Sequence, residues 1–228
     1  MSSKNIYLIL FLFVIVSSML VGYSDSQKTR NLSEEEYIET TLTQLGYPAA
    51  ARAGALFNPV AGGIYLPIKN FYRNQNVNPF GIYRTSRFVG YHSGVDIEID
   101  PDDLAKDVPV YSIYNGEVLK VETASGYGGV VIIRHNFEGN NNLAGVYGHL
   151  RLRDIKVKPG QRITSGYLIG YLGAAYSSET GAERKHLHFG LYKNRDVDIR
   201  GYVDSQRELE DWFNPNGFMR EAGAKEVD

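Results

Sequence analysis

Between about Phe57 and Pro215 the chain is cut into short runs of β-branched and aromatic residues: VPVYSIY, GEVLKVETA, GVVIIRHN, AGVYGHL, YLIGYLG and HLHFGLY. Gly, Asn and Asp punctuate them. Runs this short suit single strands, and their spacing with turn signals predicts an all-β fold, mainly antiparallel sheet and sandwich-like. In GEVLKVE the period-two alternation predicts Val118 and Lys120 on one face and Leu119 and Val121 on the other. No long amphipathic helix interrupts the pattern. The 228 residues are 43% hydrophobic, enough for the domain to bury a core of its own.

Two further segments precede this region. Lys4 is followed by an apolar run from Ile6 to Gly22, hydrophobic on every face, and then by polar residues from Tyr23 to Arg30. That order predicts a signal peptide or a membrane anchor over residues 1–24, with Ser24 as a cleavage point. The protein is then exported, to the periplasm or cell envelope or as a secreted protein, and touches the membrane only through this segment if it is uncleaved. Residues 25–56 read as helix and linker. Ser33 and Glu36 make a capping box, Leu32 staples onto Tyr37, Ile38, Leu42 and Leu45 form an apolar stripe, and Gly46 stops a short N-terminal helix. Pro48, AAARAGA and Gly62-Gly63 lead loosely into a domain spanning 57–216, and 217–228 form a C-terminal tail.

Composition narrows the chemistry. Cysteine is absent, which excludes a disulfide framework, a thiolate nucleophile, a thiolate metal ligand and a lipidated cysteine. A net charge of -2 argues against a basic surface for nucleic acid. Any metal must therefore be held by imidazole and carboxylate, and four of the five histidines fall in three short patterns: YHSGVD, VYGHL and HLHF. On a strand, His186 and His188 project from one face while Leu187 turns into the core. One of the two imidazoles is then able to bind a metal while the other exchanges protons. His92 and Asp96 are four apart, too far to meet along a straight strand, so Gly94 is expected to allow a tight turn at Ser93-Gly94 that brings them together. Asp96 supplies one negative charge, and two histidines with one aspartate make an open zinc site with room for water. His149 follows Gly148 at a strand end and is drawn in by the company it keeps. His135, outside the three patterns, is expected to be structural.

From about Asn58 to Pro215 the sequence resembles the lysostaphin-type (LytM-type) zinc endopeptidases of peptidoglycan. HSGVD, YGHL and HLHF occur in that family's order, supported by FGIYR at 80–84, VPVYSIYNGEV at 108–118 and VKPGQRITSGYLIGYLG at 157–173. The resemblance implies His92, Asp96 and His188 as ligands of one Zn2+ per chain, and His149 and His186 as the catalytic histidines. It implies a zinc metalloendopeptidase hydrolysing stem or cross-bridge peptides of peptidoglycan through a metal-activated water, with a regulatory protein as a further partner. The family's non-catalytic modules, which bind the wall or activate another wall hydrolase, are the alternative. One stretch departs from the family: Ala182, Glu183, Arg184 and Lys185 stand where it carries a shorter turn, and their charges are expected to reshape one wall of the groove. Some of the 17 tyrosines are expected to line that groove.

Overall fold

Each of the six apolar runs contains a strand. A computed structural model describes residues 63–73, 77–137 and 142–227. The expected signal or anchor segment at 1–24 and the helix from Leu32 to Gly46 lie outside the described residues. The strands are β1 (Tyr83–Arg84), β2 (Gly90–His92), β3 (Gly94–Glu98), β4 (Pro109–Tyr111), β5 (Gly116–Ala124) and β6 (Gly128–Asn136). They continue as β7 (Asn142–Gly148), β8 (Arg162–Ile163), β9 (Leu168–Tyr171), β10 (His186–Tyr192), β11 (Tyr202–Val203) and β12 (Trp212–Phe213). All pair antiparallel. The main sheet has seven strands, ordered β12-β10-β7-β6-β5-β8 with β3 added to β10; β1-β2-β11 form a three-stranded sheet and β4-β9 a ribbon. The fold is all-β. Among the described residues no helix is long and apolar enough to cross a membrane.

Two helices lie near the C-terminus: α1 (Gln206–Leu209) and α2 (Pro215–Glu221). Both carry start signals in the sequence. Ser205 and Glu208 form a reciprocal capping box on α1, and Asn214 caps α2 with Pro215 in its first turn. Residues 217–228, expected as a tail, contribute buried Phe218 and Met219, and Lys225 bridges to Tyr65.

The alternation expected in β5 fails at one point. Val118 pairs with Ile133 but Lys120 pairs with Ile132, so the register shifts between them and Leu119 is the extra residue. Val118 is buried and Lys120 exposed although they are two apart. A bulge turns a strand over in this way, and a period-two pattern cannot announce it.

Both faces of the main sheet are covered, which is why β6, apart from Arg134 and Asn136, and all of β10 are buried. Leu187, Phe189, Leu191, Val95, Ile97, Tyr147, Val131 and Ile133 fill one face, with Phe71 set edge-on against Phe189. His135 is on this face. Its Nδ1 donates to the Tyr114 carbonyl at 3.1 Å and its Nε2 accepts from the Tyr147 hydroxyl at 2.9 Å, so it is a neutral, satisfied core residue as expected. Burial lowers its pKa to about 4. Unfolding returns it to about 6.5, so the unfolded chain binds the extra proton between those values. Stability from this residue is full above pH 6.5 and is lost as pH falls towards 4. Denaturant unfolding at pH 7 and pH 5 should show a decrease that is smaller by about 2 kcal/mol in His135→Gln; an equal decrease in both proteins would show that His135 does not titrate in this way.

Candidate metal centre

The other face of the sheet carries the chemistry. His186 and His188 project from it, as the two-residue period requires, and Leu187 points the other way into the core. Strand β3 sets Asp96 directly opposite His188, and β7 sets Gly148 opposite it on the other side. Directly paired residues share a face, so Asp96 and His188 meet through register alone. Gly148 leaves room for the Tyr127 ring, which would lie 2.3 Å from a Cβ there. That ring packs edge-on at 5.0 Å from His188.

His92 arrives differently from the expected turn. Gly94 is already the first residue of β3, and the change of direction is a switch of sheets at Ser93: β2 belongs to the three-stranded sheet and β3 to the main one. Ser93 pins the corner, its amide donating to Gly201 O at 3.0 Å and its hydroxyl to Arg200 O at 2.6 Å. Glycine is needed at 94 for another reason. A Cβ there would stand 2.7 Å from both His188 Nε2 and the Phe189 carbonyl, so the histidine ring occupies the space a side chain would take.

Three donors converge. His92 Nε2 and His188 Nδ1 are 3.1 Å apart, His92 Nε2 and Asp96 Oδ1 3.2 Å, and His188 Nδ1 and Asp96 Oδ1 3.1 Å. Zinc bonds of about 2.0–2.1 Å at tetrahedral angles put ligand atoms about 3.3 Å apart, so the triangle has the size and donor chemistry that zinc requires. The protonation pattern agrees. His92 Nδ1 donates to the Pro79 carbonyl at 3.2 Å, which leaves the Nε2 lone pair facing the triangle. His188 Nε2 is buried against Gly94 without a partner among the described residues, and its Nδ1 faces the two other donors. Burial lowers His188 to about 4. Burial alone would raise Asp96, but electrostatic interaction with His186 and His92 and hydrogen bonding with His186 and His188 hold it well below the usual carboxylate range. At neutral pH the imidazole of His188 is unprotonated and Asp96 is ionised, the states a metal needs.

His149 and His186 stand beside the triangle with ring centroids 4.2 Å apart. His149 Nδ1 donates to the carbonyls of Tyr127 and Thr180 at 2.9 and 3.0 Å, and His186 Nδ1 to the Arg184 carbonyl at 2.9 Å. Each therefore turns Nε2 to the cleft. His149 follows the end of β7 with φ of 66°, a left-handed conformation unusual for histidine, which aims the ring inward. Burial, with the neighbouring His186 and His188, lowers its pKa to about 3. All five expected residues line a cavity of about 580 Å³.

The cavity also shows what the sequence did not single out. Tyr127 and Tyr202 are among its tyrosines, and the expected charged wall is present as Glu183 and Arg184, whereas Lys185 turns away to the carbonyls of Leu104 and Lys106. Asn78 is buried and donates to Asp96 Oδ2 at 2.8 Å and to the Tyr202 hydroxyl at 2.7 Å. In the sequence, Asn78-Pro79 carries only a turn signal.

An all-β domain with three convergent donors and two further imidazoles in one cleft defines a candidate mononuclear metal centre. Residues 90–199 match the model of peptidase family M23, and the chain carries a domain of this LytM-type family. Among solved structures it is similar to Helicobacter pylori Csd3, at 27% identity and a TM-score of 0.44 over 68% of this chain and 33% of that one. The catalytic domain of the antimicrobial peptidase lysostaphin from Staphylococcus simulans matches at 22% identity and a TM-score of 0.43, over 58% of this chain and 89% of that one. A zinc containing peptidase from Vibrio cholerae matches at 28% and 0.45, over 60% of this chain and 40% of that one. The chain thus spans about a third of the Csd3 chain's length.

Proposed function

We propose that this protein is an exported zinc metalloendopeptidase that hydrolyses amide bonds in peptidoglycan stem or cross-bridge peptides. The observation that carries the reading is the triangle of His92, Asp96 and His188 donors at 3.1–3.2 Å with the Nε2 atoms of His149 and His186 in the same cleft. Family membership supports peptidase chemistry, and the apolar segment from Ile6 to Gly22 supports export to a substrate that lies outside the membrane.

Zinc, when bound, supplies Lewis acidity and makes water a competent nucleophile near neutral pH. The chain's own residues do the rest. His149, tethered through Nδ1 to two carbonyls, can neither rotate nor change tautomer without losing both bonds, so its Nε2 is a fixed proton acceptor. His186 is held through Nδ1 by one carbonyl, Arg184 O, and its Nε2 lies 3.4 Å from Asp96 Oδ2. An imidazole pair so placed takes a proton from the attacking water and returns one to the leaving amine, and once protonated it stabilises the oxyanion.

The test is zinc content together with release of new amino groups from purified peptidoglycan, with and without chelator. About one zinc per chain and cleavage that stops on chelation and resumes on readdition are expected. Cleavage that survives complete zinc removal would overturn the metallopeptidase reading. Bound zinc without cleavage would favour a module that binds the wall or activates another hydrolase.

A further inference from the structure

Asp96 and Glu98 are two apart on β3 and project from one face, Asp96 opposite His188 and Glu98 opposite His186. Strand geometry thus brings a second carboxylate to the edge of a centre that already has its acidic donor. Zinc with a fourth protein ligand is a closed structural site, whereas a hydrolytic site keeps one position open. Something must separate the roles of these two carboxylates.

Arg184 stands between them. Its Nη2 lies 2.5 Å from Glu98 Oε1 and 3.0 Å from Asp96 Oδ2, and its Nε reaches both Glu98 oxygens, at 2.7 and 2.9 Å. Glu98 is therefore gripped through both oxygens. Arg184 touches Asp96 only on Oδ2, which Asn78 also holds at 2.8 Å and His186 Nε2 approaches at 3.4 Å, while Oδ1 faces His92 and His188. A guanidinium suits this task because its planar fork matches a carboxylate and it keeps its charge at any working pH.

We propose that Arg184 is a positioning residue that holds Glu98 out of the metal's coordination sphere and leaves Asp96 presenting a single oxygen, so that the centre keeps an open position. The inference rests on the assignment of His92, Asp96 and His188 as zinc ligands.

The test needs no substrate. Zinc affinity of the purified full chain is measured by competition with a chromogenic chelator, and the cobalt-loaded protein by visible absorption, for wild type, Arg184→Gln and Arg184→Gln/Glu98→Gln. Arg184→Gln should hold zinc at least tenfold more tightly, because a carboxylate is released and a positive charge removed, and its cobalt spectrum should change as coordination changes. The double variant should return to wild-type affinity and spectrum. Since it too lacks the guanidinium, that return also shows that the substitution leaves the site folded. Unchanged or weaker zinc binding by Arg184→Gln, or tighter binding with the wild-type cobalt spectrum, would overturn the inference alone. A wild-type protein that takes up no zinc would overturn the ligand assignment beneath it as well.

Discussion

His188→Ala should emerge from dialysis with less than a tenth of a zinc per chain, and its peptidoglycan hydrolysis should fall to background. His188 Nδ1 is a corner of a three-donor triangle, with both other donors within 3.1 Å. A catalytic zinc site has only three protein ligands, so losing one leaves two, too few to compete with buffer and chelator. Loss of a supporting partner of a ligand already costs roughly 10–100-fold in metal affinity, and loss of the ligand itself should cost more. The ring is buried between Tyr127 and His92, at centroid distances of 5.0 Å from each. Elemental analysis after dialysis is the deciding measurement. Stoichiometric zinc in this variant would refute the ligand set.

The opposite pairing of results is expected at His149. His149→Asn should keep its zinc, unfold near the wild-type temperature and lose roughly 10²–10⁴-fold in turnover, the usual contribution of a positioned acid or base. Asparagine is chosen because the backbone at 149 has φ of 66°, which asparagine tolerates, and because its amide can still donate to the Tyr127 or Thr180 carbonyl. The substitution thus removes the imidazole Nε2 and little else. His186→Ala should likewise lose turnover while keeping most of its zinc, since His186 lies against Asp96 Oδ2 but contributes no atom to the triangle. If His149→Asn lost zinc as fully as His188→Ala, the division between ligands and proton-transfer residues would be wrong.

Much of this was legible in the residues because some relations are local. The period of a strand sends His186 and His188 to one face and Leu187 to the other whatever the strand pairs with. His135 lies outside the motifs, and the physical reason is that β6 turns it to the opposite face, where Tyr147 and Tyr114 O satisfy it. The helices α1 and α2 carry readable caps at Ser205 and Asn214, but each is too short to show a helical period.

By itself the sequence determined the strand-rich class, the absence of thiol chemistry, and the five residues that meet in one cleft. Tertiary structure alone decided how they meet. His92 and Asp96 converge because the chain changes sheets at Ser93, and Gly94 is required by the ring of a histidine 94 positions later. The bulge at Leu119, the buried Asn78 behind Asp96 and the fork of Arg184 between Asp96 and Glu98 are likewise products of pairing between distant segments. Backbone sterics fix which face a residue takes within its own strand, whereas register and the closure of one segment over another depend on contacts that no local pattern contains.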